Sequence, residues 1–273
     1  MSIVTLISDL GSKDHYVALV KATLLNNNPT CLPIDVTHEI GTGETGEAAF
    51  LLRSIWNHFP LGTVHVNGVA SYFNHEVKQH LVVEYDNRFV ITADNGFFPL
   101  AFPNLELAQC RMFKLDLHDA DHVKFPMSGA FAVAAARITQ GEHPETFCEE
   151  IAEIRVVSGL RPYLMGTSLY CHVLHIDHFG NCYFNITEDE FEDYRKGRSF
   201  AVIVKHNLSF TSFNQHFAEV EGGRQFVTWA QNGYLMITMN VDKGGEKAGT
   251  FNKLIGLKLG DSIQIDFHGD PNR

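Results

Sequence analysis

A chain of 273 residues, 45% of them hydrophobic and 19% charged, is long enough for a sizeable core in one large domain or two ordinary ones. Its formal net charge of -11 and its scattered basic residues argue against tracking along a phosphate backbone, which needs Lys and Arg to neutralise phosphates, and point to small molecules rather than nucleic acid. The odd number of cysteines (Cys31, Cys110, Cys148, Cys171 and Cys182), with no CxxC pair, suits reduced thiols and a cytoplasmic protein. No basic leader and no apolar run near the roughly 18 residues needed to cross a bilayer are visible, so neither secretion nor a membrane is expected.

In chain order, Val4, Leu6 and Ile7 predict a strand buried on both faces, and Asp9 directly after them belongs at the strand mouth, where a carboxylate meets solvent or a ligand. Val17, Val20 and Leu24 recur at helical spacing, with Asp14 near the start and Pro29 as the stop. A strand at CLPIDVTHE completes a βαβ unit. A second helix, ETGEAAFLLRSIWNHF, leads into the strand GTVHVNGV, and HLVVEYDNRFVITADNGFF reads as a hairpin turning at Asp86 and Asn87. The strand FKLDLH and the small-residue helix SGAFAVAAARITQG close this half. Beyond Pro162 short alternating runs replace helical periodicity. The expected architecture is therefore an N-terminal α/β domain with a central, mostly parallel sheet (residues 1–165) and a smaller C-terminal β-barrel-like domain (166–273), with a ligand between them.

Fifteen histidines raise the question of metal. In HVLHIDH the period of a strand sends His175 and Asp177 to one face and His172 and His178 to the other, and LDLHDADH is explained equally well as a solvated loop, so no metal is expected. DKGGEKAGT lacks the order of a phosphate loop and reads as surface. In IDHFGNCYFNIT, Asp177, Phe179 and Asn181 surround Gly180. Two readings stand: a tight β-turn, or an aromatic ring and an amide offered to a planar heterocycle. Asp9 likewise has two, ligand carboxylate or cap of the helix that follows.

Taken together, ISDLGSKDHYV, IDVTHEI, FPLGTVHV, ADNGFF, IDHFGNCYFNIT, NGYLMITMN and GLKLGD resemble the S-adenosylmethionine hydroxide adenosyltransferase family, which includes fluorinases and chlorinases, over essentially the whole chain. The resemblance implies cleavage of S-adenosylmethionine by water or hydroxide to adenosine and methionine, with no separate cofactor, in a homotrimer whose pockets lie at subunit interfaces. It also implies that Asp9 holds the ribose hydroxyls, that Asp177, Phe179 and Asn181 meet the methionine and adenine ends, and that Phe217 covers the adenine, with Asn232 and Val241 completing the binding set. Hydrolytic members hold the attacking water with an Asp, an Arg and a His; here those positions carry Ala70, Val77 and Pro126. A shift of one residue brings Lys78 to the Arg position, and His75, Glu76 and His80 are further polar candidates in the altered loop. Gly43, Gln231, Asn232 and Met239 also depart from the family pattern. A slow hydrolase is the expected function. The alternatives are a non-catalytic binder or sensor of S-adenosylmethionine or adenosine, and a pocket remade for another nucleoside.

Overall fold

The computed structural model describes residues 2–75, 77–116, 124–157, 159, 161–205, 208–241 and 250–269. Most of LDLHDADH, all but the end of DKGGEKAGT, and Glu76 lie outside them. The chain divides into two compact units, Met1–Gly159 and Leu160–Arg273.

The first unit is α/β. Its strands are β1 (Ile3–Ile7), β2 (Leu32–Thr37), β3 (Val64–Asn67), β4 (His80–Tyr85), β5 (Arg88–Ala93), β6 (Arg111–Leu115) and β7 (Glu149–Ile151), in the sheet order β2-β1-β3-β5-β4-β6-β7. The run β2-β1-β3-β5 is parallel, and β6, antiparallel to β4, points the same way, which makes the sheet mostly parallel. Helices α1 (Tyr16–Asn27), α2 (Thr45–Ile55), α3 (Phe97–Ala101) and α4 (Ala132–Thr139) cover it. Alternation along β1 explains the layering. Val4 and Leu6 join Val20 and Leu24 of α1 and the alanines of α4 in one core, while Ile7 joins Ala48, Leu52 and Trp56 in the other.

Several local features follow from particular residues. Asp86 and Asn87 both take φ near +50°, the left-handed pair that a two-residue hairpin demands. The small-residue helix begins one turn differently from the expectation, as a π turn at Met127–Phe131. That turn seats Met127 against Gly68, where a Cβ would lie 2.2 Å from the Met127 sulfur. His65 in β3 is fully buried, its Nδ1 2.7 Å from Thr5 Oγ1 and its ring 5.0 Å from that of Trp56. Burial and the Arg88 guanidinium bring its pKa down to about 3, so the ring is neutral.

The second unit is a nearly closed, barrel-like antiparallel sheet. Its strands are β8 (Tyr163–Met165), β9 (Ser168–Ile176), β10 (Cys182–Thr187), β11 (Ser199–Ile203), β12 (Ser209–Phe210), β13 (Gln225–Trp229), β14 (Tyr234–Met239) and β15 (Ser262–His268). The order β12-β11-β15-β9-β10-β14-β13 runs round the core, with β8 on β9, and the N–H of Asn214 donates to the carbonyl of Val227 at 2.9 Å, bringing the segment after β12 to β13. The core holds Phe184, Phe191, Phe267 and Ile265. Helix α5 (Glu188–Arg195) lies in a region whose short alternating runs suggest only strands; Thr187 and Glu190 form a capping box that starts it, and Phe191 is its buried anchor. A short α6 (Phe251–Ile255) precedes β15.

Candidate functional site

Strand order dictates where the first unit is able to hold a ligand. The chain leaves β1 toward β2 on one side and later returns to β3 on the other, so β1 and β3 flank the point at which the order reverses, and ligands of open α/β sheets bind in the crevice beyond the carboxyl ends at such a point. Ile7 pairs with Asn67 at that edge. Ser8 and Asp9 follow on one side and the segment 68–70 on the other.

Asp9 does not cap α1, whose N-cap is His15 with no side-chain bond. The Asp9 carboxylate instead accepts from the backbone N–H of Gly43 at 3.0 Å and of Ala70 at 3.4 Å, both on Oδ2. Among the described residues none donates to Oδ1. Ala70 is held at φ +48°, a left-handed conformation that costs alanine about 1–2 kcal/mol. Asn95 holds it there: its Nδ2 donates to the carbonyls of Val69 at 3.1 Å and Ala70 at 3.4 Å, and its Oδ1 accepts from Phe97 N–H. Tyr72, half exposed, stands near the carboxylate, and burial, then Asp9, then Tyr16 push its phenol up and keep it protonated. The Tyr16 ring meets Phe125 edge-on at 5.5 Å. No local sequence pattern singles out Tyr16, which opens α1, or Tyr72, which lies in the loop after β3.

The three positions matched to the family's water-holding residues differ in their surroundings. Ala70 borders the crevice, whereas Val77 and Pro126 are buried and present no ionisable group. Among the candidate substitutes, His75 and Lys78 are exposed. His80 is fully buried: its Nε2 lies 2.6 Å from the Ser71 carbonyl, its ring packs on Phe73 and Phe131, and burial lowers its pKa. An imidazole enclosed in that way braces the loop.

In the second unit the turn between β9 and β10 is built around Asp177. Its Oδ1 accepts from the N–H of Phe179 and Asn181, and its Oδ2 from Asn181 Nδ2 at 2.8 Å and Tyr183 OH at 3.4 Å. The Asn181 amide oxygen accepts from Thr238 Oγ1. Gly180, at φ +80°, leaves room that a Cβ would lack, since Thr250 and Asn252 would lie within 2.6 Å of it. Asp177 and Asn181 therefore act first as the frame of the turn, and Phe179, 72% exposed, is what the turn presents.

Phe217 is exposed on a 3-10 turn whose carbonyls at Phe217 and Val220 accept from Asn240 Nδ2, so Phe217, Asn240 and the exposed Val241 gather where β14 ends. Thr238 ties the Asp177–Asn181 turn to the same end. Asn232 sits in the β13–β14 turn at the other end of β14, about 20 Å along the strand from Thr238 at 3.3 Å per residue, and its Oδ1 accepts from Tyr234 N–H. The second unit thus groups Asp177, Phe179, Asn181, Phe217 and Val241 and sets Asn232 apart. Among the described residues no cluster of His, Cys, Asp or Glu could hold a metal ion, and no helix is long and apolar enough to cross a membrane.

The chain thus combines an α/β unit that carries a carboxylate where the strand order reverses with an antiparallel, barrel-like unit that carries an aromatic-tipped Gly turn. Residues 4–148 match the family model described as the SAM hydroxide adenosyltransferase N-terminal domain, and residues 171–264 match that of the C-terminal domain. The chain belongs to the S-adenosylmethionine hydroxide adenosyltransferase family. It is 27% identical over 195 residues to the (R)-S-adenosyl-L-methionine hydrolase of Methanocaldococcus jannaschii, an alignment covering 70% of this chain and 69% of that protein. Its fold is similar to that of an uncharacterized conserved protein from Thermotoga maritima (TM-score 0.79, 22% identity, 97% of this chain and 99% of that one). A conserved hypothetical protein from Thermus thermophilus is similar too (TM-score 0.67, 23% identity, 98% and 100%).

Proposed function

We propose that the protein binds S-adenosylmethionine and cleaves it slowly with water to adenosine and methionine. The observation that carries this reading is the Asp9 carboxylate at the carboxyl ends of β1 and β3, one oxygen fixed by two backbone amides and the other without a donor among the described residues. A carboxylate so held suits a ribose diol, which needs an acceptor for two hydroxyl donors. Family membership across both units and the named activity of the archaeal relative support the substrate. In the reaction a water oxygen bonds to C5′ as the C5′–S bond breaks; the sulfur leaves as the neutral thioether of methionine and the water proton passes to solvent. Phe179 and Phe217 offer stacking faces for the adenine. Slowness follows from Ala70, Val77 and Pro126, none of which can orient or deprotonate water. The sulfonium is a good leaving group, so orientation alone retains some rate. The proposed assembly is a homotrimer with pockets at subunit interfaces, and the five free thiols support a cytoplasmic setting.

A second reading, a non-catalytic binder or sensor of S-adenosylmethionine, adenosine or another nucleoside, is favoured by one observation: Val77, Pro126 and His80 are all buried away from solvent. Single-turnover incubation with S-adenosylmethionine, enzyme in excess, separates the two. Release of adenosine and methionine in equal amounts supports the hydrolase; binding without products supports the sensor, and absence of both refutes the substrate class.

A further inference from the structure

The residue before Asp9 is fully buried and polar, and it is tied into a chain of side chains running behind the crevice. Ser8 Oγ lies 2.7 Å from His38 Nδ1; His38 Nε2 approaches Asp35 Oδ1 at 3.1 Å, bent off the hydrogen-bond line; and Asp35 pairs with Lys21. Although burial opposes it, Lys21 and His38 hold the Asp35 carboxyl below its usual range, so this end of the chain is an anion. The carboxylate 3.1 Å from Nε2 favours the tautomer protonated there, and in that tautomer Nδ1 accepts the Ser8 hydroxyl proton. With its proton so directed, Ser8 Oγ turns a lone pair to the N–H of Leu10 at 3.4 Å, a turn of the Ser type that spans Asp9. The backbone repeats the tie: Ser8 N–H donates to Thr37 O, Ile40 N–H to Ser8 O and Gly11 N–H to His38 O.

We infer that His38 and Ser8 are positioning residues for the Asp9 carboxylate. Asp35 orients His38, His38 fixes the Ser8 rotamer, and Ser8 fixes the peptides on both sides of Asp9, so that Oδ2 reaches the amides of Gly43 and Ala70. Neither residue touches ligand. The role of Asp9 toward a ribose rests on the proposed function; its positioning by His38 does not.

The test is a double-mutant cycle read in two ways on the full chain. Adenosine affinity is measured by calorimetry for wild type, His38→Ala, Asp9→Ala and the double variant, with His38→Asn as the conservative control that keeps a nitrogen or oxygen near the Nδ1 position. His38→Ala is expected to weaken adenosine about fivefold, the worth of one neutral hydrogen bond, with no further loss once Asp9 is gone and recovery in His38→Asn. Independently of ligand, the amide proton signals of Gly43 and Ala70 are followed by NMR as Asp9 titrates. Their response is expected to fall by at least half in His38→Ala and in Ser8→Ala. An unchanged amide response would overturn the inference whatever adenosine does. Additive losses from His38→Ala and Asp9→Ala would overturn it as well. An altered amide response in a protein that binds no adenosine would uphold the positioning and reject the ribose role.

Discussion

Acidification of the first unit tests its buried chemistry most directly, through His65. Folded, this imidazole takes a proton only near pH 3; in the unfolded chain it does so near 6.5. A depressed histidine pKa means that the unfolded state binds more protons between those values, so stability is fully present above about pH 6.5 and is lost as pH falls toward 3. Each pH unit well inside that window costs about 1.4 kcal/mol, and a fall from about pH 6.5, where the slope is half of that, to 4.5 removes about 2.3 kcal/mol, a large part of the roughly 5–15 kcal/mol typical of a domain. Urea unfolding followed by fluorescence reads this locally, because Trp56 stacks near His65 and Trp229→Phe silences the tryptophan of the second unit. His65→Asn keeps a partner for Thr5 but does not titrate. Its absolute stability should fall through the space left beside Trp56, while its slope against pH should be shallower than wild type by up to about 1.4 kcal/mol per unit. His80 shifts in the same direction but is present in both proteins, so the difference isolates His65. Equal slopes for the two proteins would refute the reasoning.

Asp9→Ala should weaken S-adenosylmethionine and adenosine by about 1.5–3 kcal/mol in calorimetry, the value of hydrogen bonds to a charged group; an unchanged affinity rejects the ribose role. Ala70→Asp should be stabilising or neutral in thermal unfolding, because Asp tolerates φ +48° better than Ala, and should raise single-turnover hydrolysis by about tenfold or more by giving water an acceptor. No rate gain would mean that Val77 and Pro126 limit the chemistry. Gly180→Ala should cost about 1–3 kcal/mol through its φ of +80° and more through the contact with Thr250, seen as a lower urea midpoint on the Trp229 signal; an unchanged midpoint would show that the turn is not held as tightly as its packing indicates.

The parts of the fold written in short-range chemistry were legible in the chain. The buried run before Asp9, the Asp86-Asn87 hairpin and the change to alternating runs after Pro162 correspond to β1, the β4–β5 turn and the antiparallel second unit. Helix α5 was hidden because it is only eight residues long and strongly acidic, with Phe191 its only buried residue; the Thr187-Glu190 pair was the usable sign. The candidate site divides similarly. A carboxylate after an apolar strand announces Asp9, but its partners Gly43 and Ala70 arrive from other strand ends, and no local pattern shows that Asn95 holds Ala70 or that His80 is enclosed. For Asp177 the frame and the display were one motif in sequence, and only the bonds within the turn separate the side chains that build it from Phe179, which it exhibits.

Strand β9 gives the second unit a kinetic character. Its first half pairs with β15, joining Ser168 to Asp266 across 98 residues of chain, while its second half pairs with β10 next door. The hairpin closes over a short stretch of chain and the seam over a long one, a topology of high contact order that favours slow folding, and until the seam forms one flank of β9 is open to foreign strands. Overproduction at high temperature should therefore send the chain into inclusion bodies through this half, with the first unit as passenger.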